Sequence, residues 1–137
     1  MKEHYKNQNN VVDSSGWLEY FSDAQNASFF APAIETPSLL IVPSISILEV
    51  FRHLLLRCAE KDAFQAIECM LQGRVVDLDV ETAVNAAKLG VLHRIPMADS
   101  IILATGLAHD AVIWSQDADF KGLPHVCYIE KTRPHRG

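Results

Sequence analysis

The stretch VVDSSGW, residues 11–17, places a carboxylate directly after two β-branched apolar residues. The two valines favour a short buried strand, because β-branched side chains pack well on a pleated sheet. Asp13 ends that strand, and a helix is predicted over residues 15–22, with Ser14 or Ser15 as its N-cap. An acid at this point indicates an edge of the sheet, where the chain leaves the core.

Strand and helix patterns alternate along the rest of the chain. Compact apolar runs predict four more strands, at residues 37–43, 74–79, 111–115 and 125–129. Apolar residues at helical spacing predict helices at residues 44–59, 62–71, 80–90 and 97–109, with Ser44 and Asp79 as N-caps. Strands that are apolar on both faces and alternate with helices predict an α/β fold, in which helices cover both sides of a parallel sheet. No element is assigned to residues 25–37.

The composition fits one domain of 137 residues, of which 49% are hydrophobic. The first ten residues are polar, and no apolar run reaches the roughly 20 residues that span a bilayer, so a cytoplasmic protein is expected. Cys58, Cys69 and Cys127 are widely spaced among apolar neighbours, and are expected to be buried thiols in a reducing compartment. They have no paired spacing with histidines, which argues against a zinc site.

Several acids occupy equivalent places after the predicted strands. Asp13 follows the first strand, Glu49 lies on the helix after the second, and Asp99 lies in the first turn of a later helix. Asp117 and Asp119 follow the strand AVIWS. The carboxyl ends of parallel strands form one edge, where ligands bind. Clustered carboxylates repel one another and suit Mg²⁺ or Mn²⁺, so the pattern predicts a metal-dependent site for phosphodiester cleavage.

Each acid also has an ordinary structural explanation. Asp13 could only cap a helix or an Asx-turn. Glu49 could pair with the basic residues three and four positions further along its helix, and Asp99 is favourable near a helix N-terminus through the dipole. The acids of SQDADF flank a turn, where Asp is common. The joint placement of these acids at one edge favours the metal site.

Four motifs, in this order, resemble those of PIN-domain ribonucleases, and of VapC-type toxins in particular. They are VVDSSGWLEYF, PSISILEVFRHLL, MADSIILATG and WSQDADF. The resemblance implies a three-layer α/β/α sandwich with a mostly parallel, roughly five-stranded sheet over residues 11–130, between a polar tail at residues 1–10 and a basic tail at residues 131–137. It also implies RNA cleavage with one or two Mg²⁺ or Mn²⁺ ions, a homodimer, and a cognate antitoxin that inhibits the toxin.

The resemblance also implies a role for each motif residue. The catalytic and metal-binding residues would be Asp13, Glu49, Asp99 and Asp117. Asp119 would be a helper or an additional ligand. The hydroxyl groups that would hold these carboxylates in orientation belong to Ser14 and Ser115.

A net charge of −5 argues weakly against a nucleic-acid partner, but several of the acids belong to the predicted metal site. Basic residues near that site are expected to contact the phosphate backbone of RNA, namely Arg52, Arg94 and Lys121. Arg57 fits a solvated charged surface better than Arg52 does. The aromatic residues at positions 17, 20 and 21 are at helical spacing, and are expected in the core rather than in contact with bases.

Other functions fit the sequence less well. Phosphatases of the haloacid-dehalogenase type need D-x-D after the first strand, and Ser15 stands at the second acid's position. A receiver-type domain needs paired acids near the first strand and a lysine after the last one, and neither is clear. The remaining alternative is a non-catalytic PIN-like module that binds protein or RNA and uses its acids structurally. Metal-dependent cleavage separates it from a nuclease.

Overall fold

The computed structural model describes residues 8–132, so positions 1–7 and 133–137 of the predicted tails lie outside the described residues. Five strands form one sheet with the order β3-β2-β1-β4-β5. Every neighbouring pair of strands is parallel, which confirms and sharpens the predicted mostly parallel sheet. The strands are β1 (Asn10–Val12), β2 (Leu40–Pro43), β3 (Arg74–Val76), β4 (Val112–Ser115) and β5 (Val126–Tyr128).

Six α-helices flank this sheet within residues 8–132. They are α1 (Ser14–Phe21), α2 (Ala27–Ile34), α3 (Ser44–Leu55), α4 (Glu60–Met70), α5 (Val80–His93) and α6 (Met97–Ala108). Two short 3₁₀ helices lie at Pro37–Leu39 and Ala118–Phe120. None of the helices in this range is both long and apolar enough to cross a membrane alone; α5 and α6 reach that length and composition only as a pair bent by 118°.

The central strands bury both of their faces, because successive side chains of a strand point to opposite sides of the sheet. Val11 of β1 packs on one side with Ile41 of β2 and Ile113 of β4. Val12, the next residue, packs on the other side with Trp114. The paired valines of the opening motif therefore join two separate halves of the core.

Helices cover the two faces of the sheet unequally. On the Val12 face, α1 to α4 contribute core side chains such as Trp17, Phe30, Val50 and Met70. On the Val11 face, the buried side chains include Ile102 and Leu103 of α6, with Phe120 of the second 3₁₀ helix. This is the three-layer α/β/α sandwich that the resemblance implied.

Gly16 is required where α1 begins. A Cβ atom built at this position would lie 2.6 Å from the ring of Phe30 and 2.7 Å from the side chain of Val12. Neither neighbour has room to move, because both are fully buried. The glycine of VVDSSGW thus allows α1 to pack closely against β1 and α2.

Two of the three predicted N-caps differ from the structure. Asp13, not Ser14 or Ser15, caps α1: its backbone is extended and its carboxylate accepts a hydrogen bond from Gly16 N. Ser44 is the first residue of α3, and the N-cap is Pro43, which makes no side-chain cap bond. Asp79 caps α5 as predicted, because its Oδ1 accepts from Thr82 N at 2.7 Å.

Several element boundaries were predicted wrongly. The range to which no element was assigned contains α2, and residues 37–39 form a 3₁₀ helix rather than the start of β2. Helix α5 continues beyond Gly90, and this glycine gives room for Ser100 of α6; a Cβ there would lie 2.5 Å from Ser100 Oγ. The helix ends at His93, and its C-cap, Arg94, has a left-handed backbone with φ 56°.

The three cysteines are not all buried, contrary to the sequence expectation. Cys127 is buried on β5 and Cys69 is partly buried, whereas Cys58 is exposed just after α3. Cys58 leaves the core because α3 has ended, and its Sγ contacts the carbonyl oxygen of Leu54 at 3.2 Å. Of the aromatic residues predicted in the core, Trp17 is fully buried, and residues 20 and 21 pack against the core as partly buried neighbours.

Candidate metal centre

The sheet brings the ends of β1 and β4 together at one edge. Val12 pairs with Trp114 in parallel register, and Asp13 N donates to the carbonyl oxygen of Trp114 at 3.1 Å. Asp13 and Ser115 therefore follow their strands side by side. The first turn of α6, which carries Asp99, reaches the same edge because α6 packs against the Val11 face of the sheet. We call this carboxyl-end edge the rim.

Three carboxylates form a compact group on the rim. One carboxylate oxygen each from Asp99, Asp117 and Asp119 lies within 4.8 Å of the other two. Asp99 and Asp117 are partly buried, and Asp119 is exposed. We call these three residues the acid cluster. Asp119, which the sequence suggested as a helper, is a full member, whereas Asp13 and Glu49 lie outside it.

The acid cluster is electrostatically unfavourable without a cation. Burial first, then the charges of Asp117 and Asp119, raise the pKa of Asp99 to about 8. A side-chain hydrogen bond with Asp119 and the charge of Asp13 act in the same direction. At neutral pH, Asp99 therefore keeps its proton unless a positive ion takes its place.

Asp13 lies beside the acid cluster in a pocket of hydrogen-bond donors. Its carboxylate accepts from Ser15 Oγ at 2.8 Å and 3.0 Å, from Gly16 N at 3.0 Å and from Ser115 Oγ at 2.8 Å. The residue is 2% exposed. Burial raises the pKa of Asp13 to about 6, against the lowering effect of these three donors, and Asp117 adds a further increase. We call Asp13 and its three donors the Asp13 pocket.

Ser115 connects this pocket to the acid cluster. Its Oγ donates to Asp13 Oδ2 and accepts from Asp117 N at 2.9 Å, so one hydroxyl fixes two acids. Asp117 Oδ1 in turn accepts from Asp119 N at 2.9 Å, which shapes the 3₁₀ turn. Ser115, for which the resemblance implied an orienting role, thus contacts both Asp13 and Asp117.

Glu49 reaches the rim from α3 and is held by a hydroxyl. Ser14 Oγ donates to Glu49 Oε1 at 2.7 Å, and Ser14 follows Asp13 directly. The alternative pairing of Glu49 with basic residues on its own helix is not formed: within residues 8–132, the one ion pair joins Lys121 to Glu130 at 3.5 Å. Glu49 therefore stands next to the Asp13 pocket rather than in the acid cluster.

The three cations predicted to contact RNA are in different environments. Arg52 is exposed on α3 and lines the same cavity as Glu49. Arg94 is exposed at the left-handed end of α5. Lys121 pairs with Glu130, and its ammonium group lies 5.8 Å from the ring centre of Tyr128.

The oxygen atoms of the acid cluster fit a hard divalent cation as ligands. All three are carboxylate oxygens, which Mg²⁺ and Mn²⁺ prefer, and their spacing lets one ion contact all three. The raised pKa of Asp99 supports the same conclusion, because an ion would relieve the repulsion that retains its proton.

The sequence analysis missed two of the hydrogen-bond donors to the Asp13 carboxylate. Ser15 and the backbone N–H of Gly16 were considered only as parts of a helix start. The signal was available, because an acid followed two and three residues later by donors is the pattern of an Asx-turn and an N-cap. Asp13, an acid that the sequence predicts for the metal site, is therefore also the N-cap of α1.

Comparison with known proteins agrees with this architecture. Residues 11–126 match the PIN domain family, and no curated protein matches the chain. A toxin–antitoxin complex from Klebsiella pneumoniae is 22% identical, with a TM-score of 0.71, over 86% of this chain and 95% of that one. DNA-bound VapBC from Salmonella typhimurium is 12% identical, with a TM-score of 0.70, over 90% and 98%. The sarcin–ricin loop cleaving toxin VapC20 of Mycobacterium tuberculosis is 17% identical, with a TM-score of 0.65, over 85% and 97%.

Proposed function

Because the chain belongs to the PIN-domain family, we propose that it is a metal-dependent endoribonuclease and the toxin of a type II toxin–antitoxin pair. The observation that carries the proposal is the acid cluster beside the Asp13 pocket. One solved structural neighbour, VapC20 of Mycobacterium tuberculosis, is a toxin that cleaves the sarcin–ricin loop. The same function places the protein in the cytoplasm, where its RNA substrate is found.

The proposed ligands of one or two Mg²⁺ or Mn²⁺ ions are Asp13, Glu49, Asp99 and Asp117, with Asp119. A bound ion supplies charge neutralisation at the phosphate and a lowered pKa for the attacking water. Asp99 would hold such an ion as a carboxylate, because the positive charge would balance the repulsion from Asp117 and Asp119. Ser115 and Ser15 keep Asp13 in one orientation throughout, since their hydroxyls donate to its two oxygens.

The proposed protein partners are a second copy of the chain and a cognate antitoxin. An exposed apolar surface on the outer side of α5 and at the start of α6 supports an interface. It contains Val80, Val84, Val91, Leu92 and Met97, and three of these, Val80, Val91 and Met97, are 82% exposed. Apolar side chains this exposed on adjacent helices are unusual on a monomer and mark interaction surfaces.

The first experiment measures RNA cleavage by the purified chain, freed of any antitoxin, with Mn²⁺ and with a chelator. We expect cleavage that requires the metal and that disappears in Asp13→Ala. A matched control is Asp62→Asn, which changes an exposed acid in the first turn of α4. A folded, metal-loaded protein that cleaves no RNA contradicts the proposal and favours the non-catalytic binding module.

The dimer is tested separately by light scattering. We expect the wild type to be dimeric and Val91→Asp to be monomeric, because a buried charge at an apolar interface is costly. The control is Leu71→Asp, which changes an exposed leucine at the end of α4, on the opposite layer. A monomeric wild type contradicts the dimer, and a dimeric Val91→Asp places the interface elsewhere.

A further inference from the structure

A continuous groove follows the α1 side of the rim. It consists of three cavities of about 440, 350 and 590 Å³, and each shares lining residues with the next. His53 and Arg57 line both the first and the second cavity. Ser15, Gln116 and Lys131 line both the second and the third.

The groove begins and ends next to the acids of the rim. Glu49 lines the first cavity, and Asp117 lines the third. Between them, Ser15 of the Asp13 pocket faces the second and third cavities. A strand lying in this groove would therefore pass along one side of the candidate metal centre.

Two uncompensated cations face the middle of the groove. Arg57 and Lys131 are exposed, and neither has a carboxylate within 4.0 Å among residues 8–132. Arg57 Nη1 donates to the carbonyl oxygen of His53 at 3.0 Å, which holds the guanidinium against α3. Burial, and then the charges of Arg57 and Lys131, lower the pKa of His53. Both cations therefore lie close enough to His53 to affect its charge.

A buried polar network fixes the chain at Lys131. Asn26 Nδ2 donates to Gln116 Oε1 at 3.0 Å and to the carbonyl oxygen of Glu130 at 3.1 Å. Gln116 Nε2 donates to Glu19 Oε1 at 3.0 Å, so the one carboxylate in the second cavity is itself held by neutral donors. Asn26 and Gln116 are both buried. The network thus fixes the backbone at Glu130, and the next residue, Lys131, lines the groove.

We propose that His53, Arg57 and Lys131 bind a backbone phosphate of the RNA strand close to the cleaved bond. This inference rests on the proposed nuclease function and names the contact that brings its substrate to the acids. A rim of carboxylates repels RNA, so the substrate needs cations beside it, and phosphate contacts position a strand without reading its sequence. Arg94 and Lys121, which the sequence suggested for this role, line none of the three cavities.

The test measures binding of a short fluorescent single-stranded RNA to Asp99→Asn protein, in which cleavage does not interfere. We compare the double variant Arg57→Gln/Lys131→Gln with Arg74→Gln/Lys88→Gln, which removes two exposed cations on β3 and α5. We expect the groove variant to bind at least about tenfold more weakly. Its salt slope should be less steep by about 0.7 for each lost phosphate contact. The control variant should match the parent.

Equal affinity and equal salt slope in the two double variants would overturn the proposal. So would an unchanged KM when the same pair is changed in the cleaving wild type, and that result leaves the nuclease function intact. If the wild type cleaves no RNA but the groove variant still loses binding, the groove is supported and the nuclease function fails. The two proposals therefore fail in different measurements.

Discussion

The Asp13 pocket and the acid cluster lie side by side on the rim but surround their carboxylates with different groups. Asp13 is almost fully buried but accepts from three donors, and its pKa is raised to about 6. Asp99 is only partly buried, and its pKa is raised to about 8, first by burial and then by the charges of Asp117 and Asp119. The difference is in the neighbours: one carboxylate has donors from the fold, whereas the other needs a cation.

The two acids therefore contribute differently to the stability of the fold. Asp13 caps α1 and is tied to β4 through Ser115, so its side chain stabilises the fold as well as the site. Among residues 8–132, no donor makes a comparable hydrogen bond to Asp99, and its interactions with Asp117 and Asp119 oppose folding when all three are charged. Residues that destabilise the fold and have no compensating local interaction are typical of functional sites.

The largest expected effect is on catalysis by Asp99→Asn, which replaces one acid of the cluster by an amide of the same shape. We expect RNA cleavage in excess Mn²⁺ to fall by more than about 100-fold, because loss of an orienting partner alone already costs 10–100-fold. The protein should remain folded by circular dichroism. A rate within twofold of the wild type would remove Asp99 from the site.

Ser115→Ala should have the next largest effect, because it removes the hydroxyl that joins the two regions. We expect metal affinity, and cleavage at limiting Mn²⁺, to fall by roughly 10–100-fold. Cleavage should recover partly at high Mn²⁺, which distinguishes an orienting role from that of a ligand. Calorimetric titration of Mn²⁺ checks this, with Ser38→Ala, at an exposed position, as the control. Unchanged Mn²⁺ affinity would contradict the proposal that the Ser115 hydroxyl orients the metal-binding acids.

Stability should change in opposite directions in the two regions. Asp13→Ala removes an N-cap, and should lower the free energy of unfolding by about 1–2 kcal/mol. Asp99→Asn should raise it at pH 8 in the presence of a chelator, because like-charge repulsion is removed. Urea unfolding measures both. If both variants are destabilised alike, the proposed difference between the regions does not hold.

The remaining prediction concerns how the stability of the metal-free protein depends on pH. Both acids have a folded-state pKa above the unfolded value of about 3.9, so the folded state binds more protons between these limits. Stability should therefore fall as the pH rises from about 4, through about 6 for Asp13, to about 8 for Asp99. Asp99→Asn should flatten the part between pH 6 and 8, as urea midpoints in a chelator would measure. Stability that rises over this range would contradict the assignment.

Sequence patterns predicted the alternation of strands and helices well, because buried parallel strands read as short apolar runs bounded by polar turns. The failures were local. Helix α2 was missed because ASFFAPAI contains a proline and has no polar side to give a helical period. The extension of α5 past Gly90 was missed because the glycine serves close packing against Ser100, which no local pattern reveals.

The sequence by itself determined the α/β alternation, the acids at the strand ends and the membership of the PIN family, since each depends on residues near one another in the chain. Only the tertiary structure decided which acids meet. Asp99 and Asp119 are twenty positions apart, yet they touch because α6 and the turn after β4 end at one edge. The structure also decided that Arg57 and Lys131 share a groove, because a buried network fixes the end of the sheet beside α3. Distances between charges set pKa values and ion binding, and those distances exist only after folding.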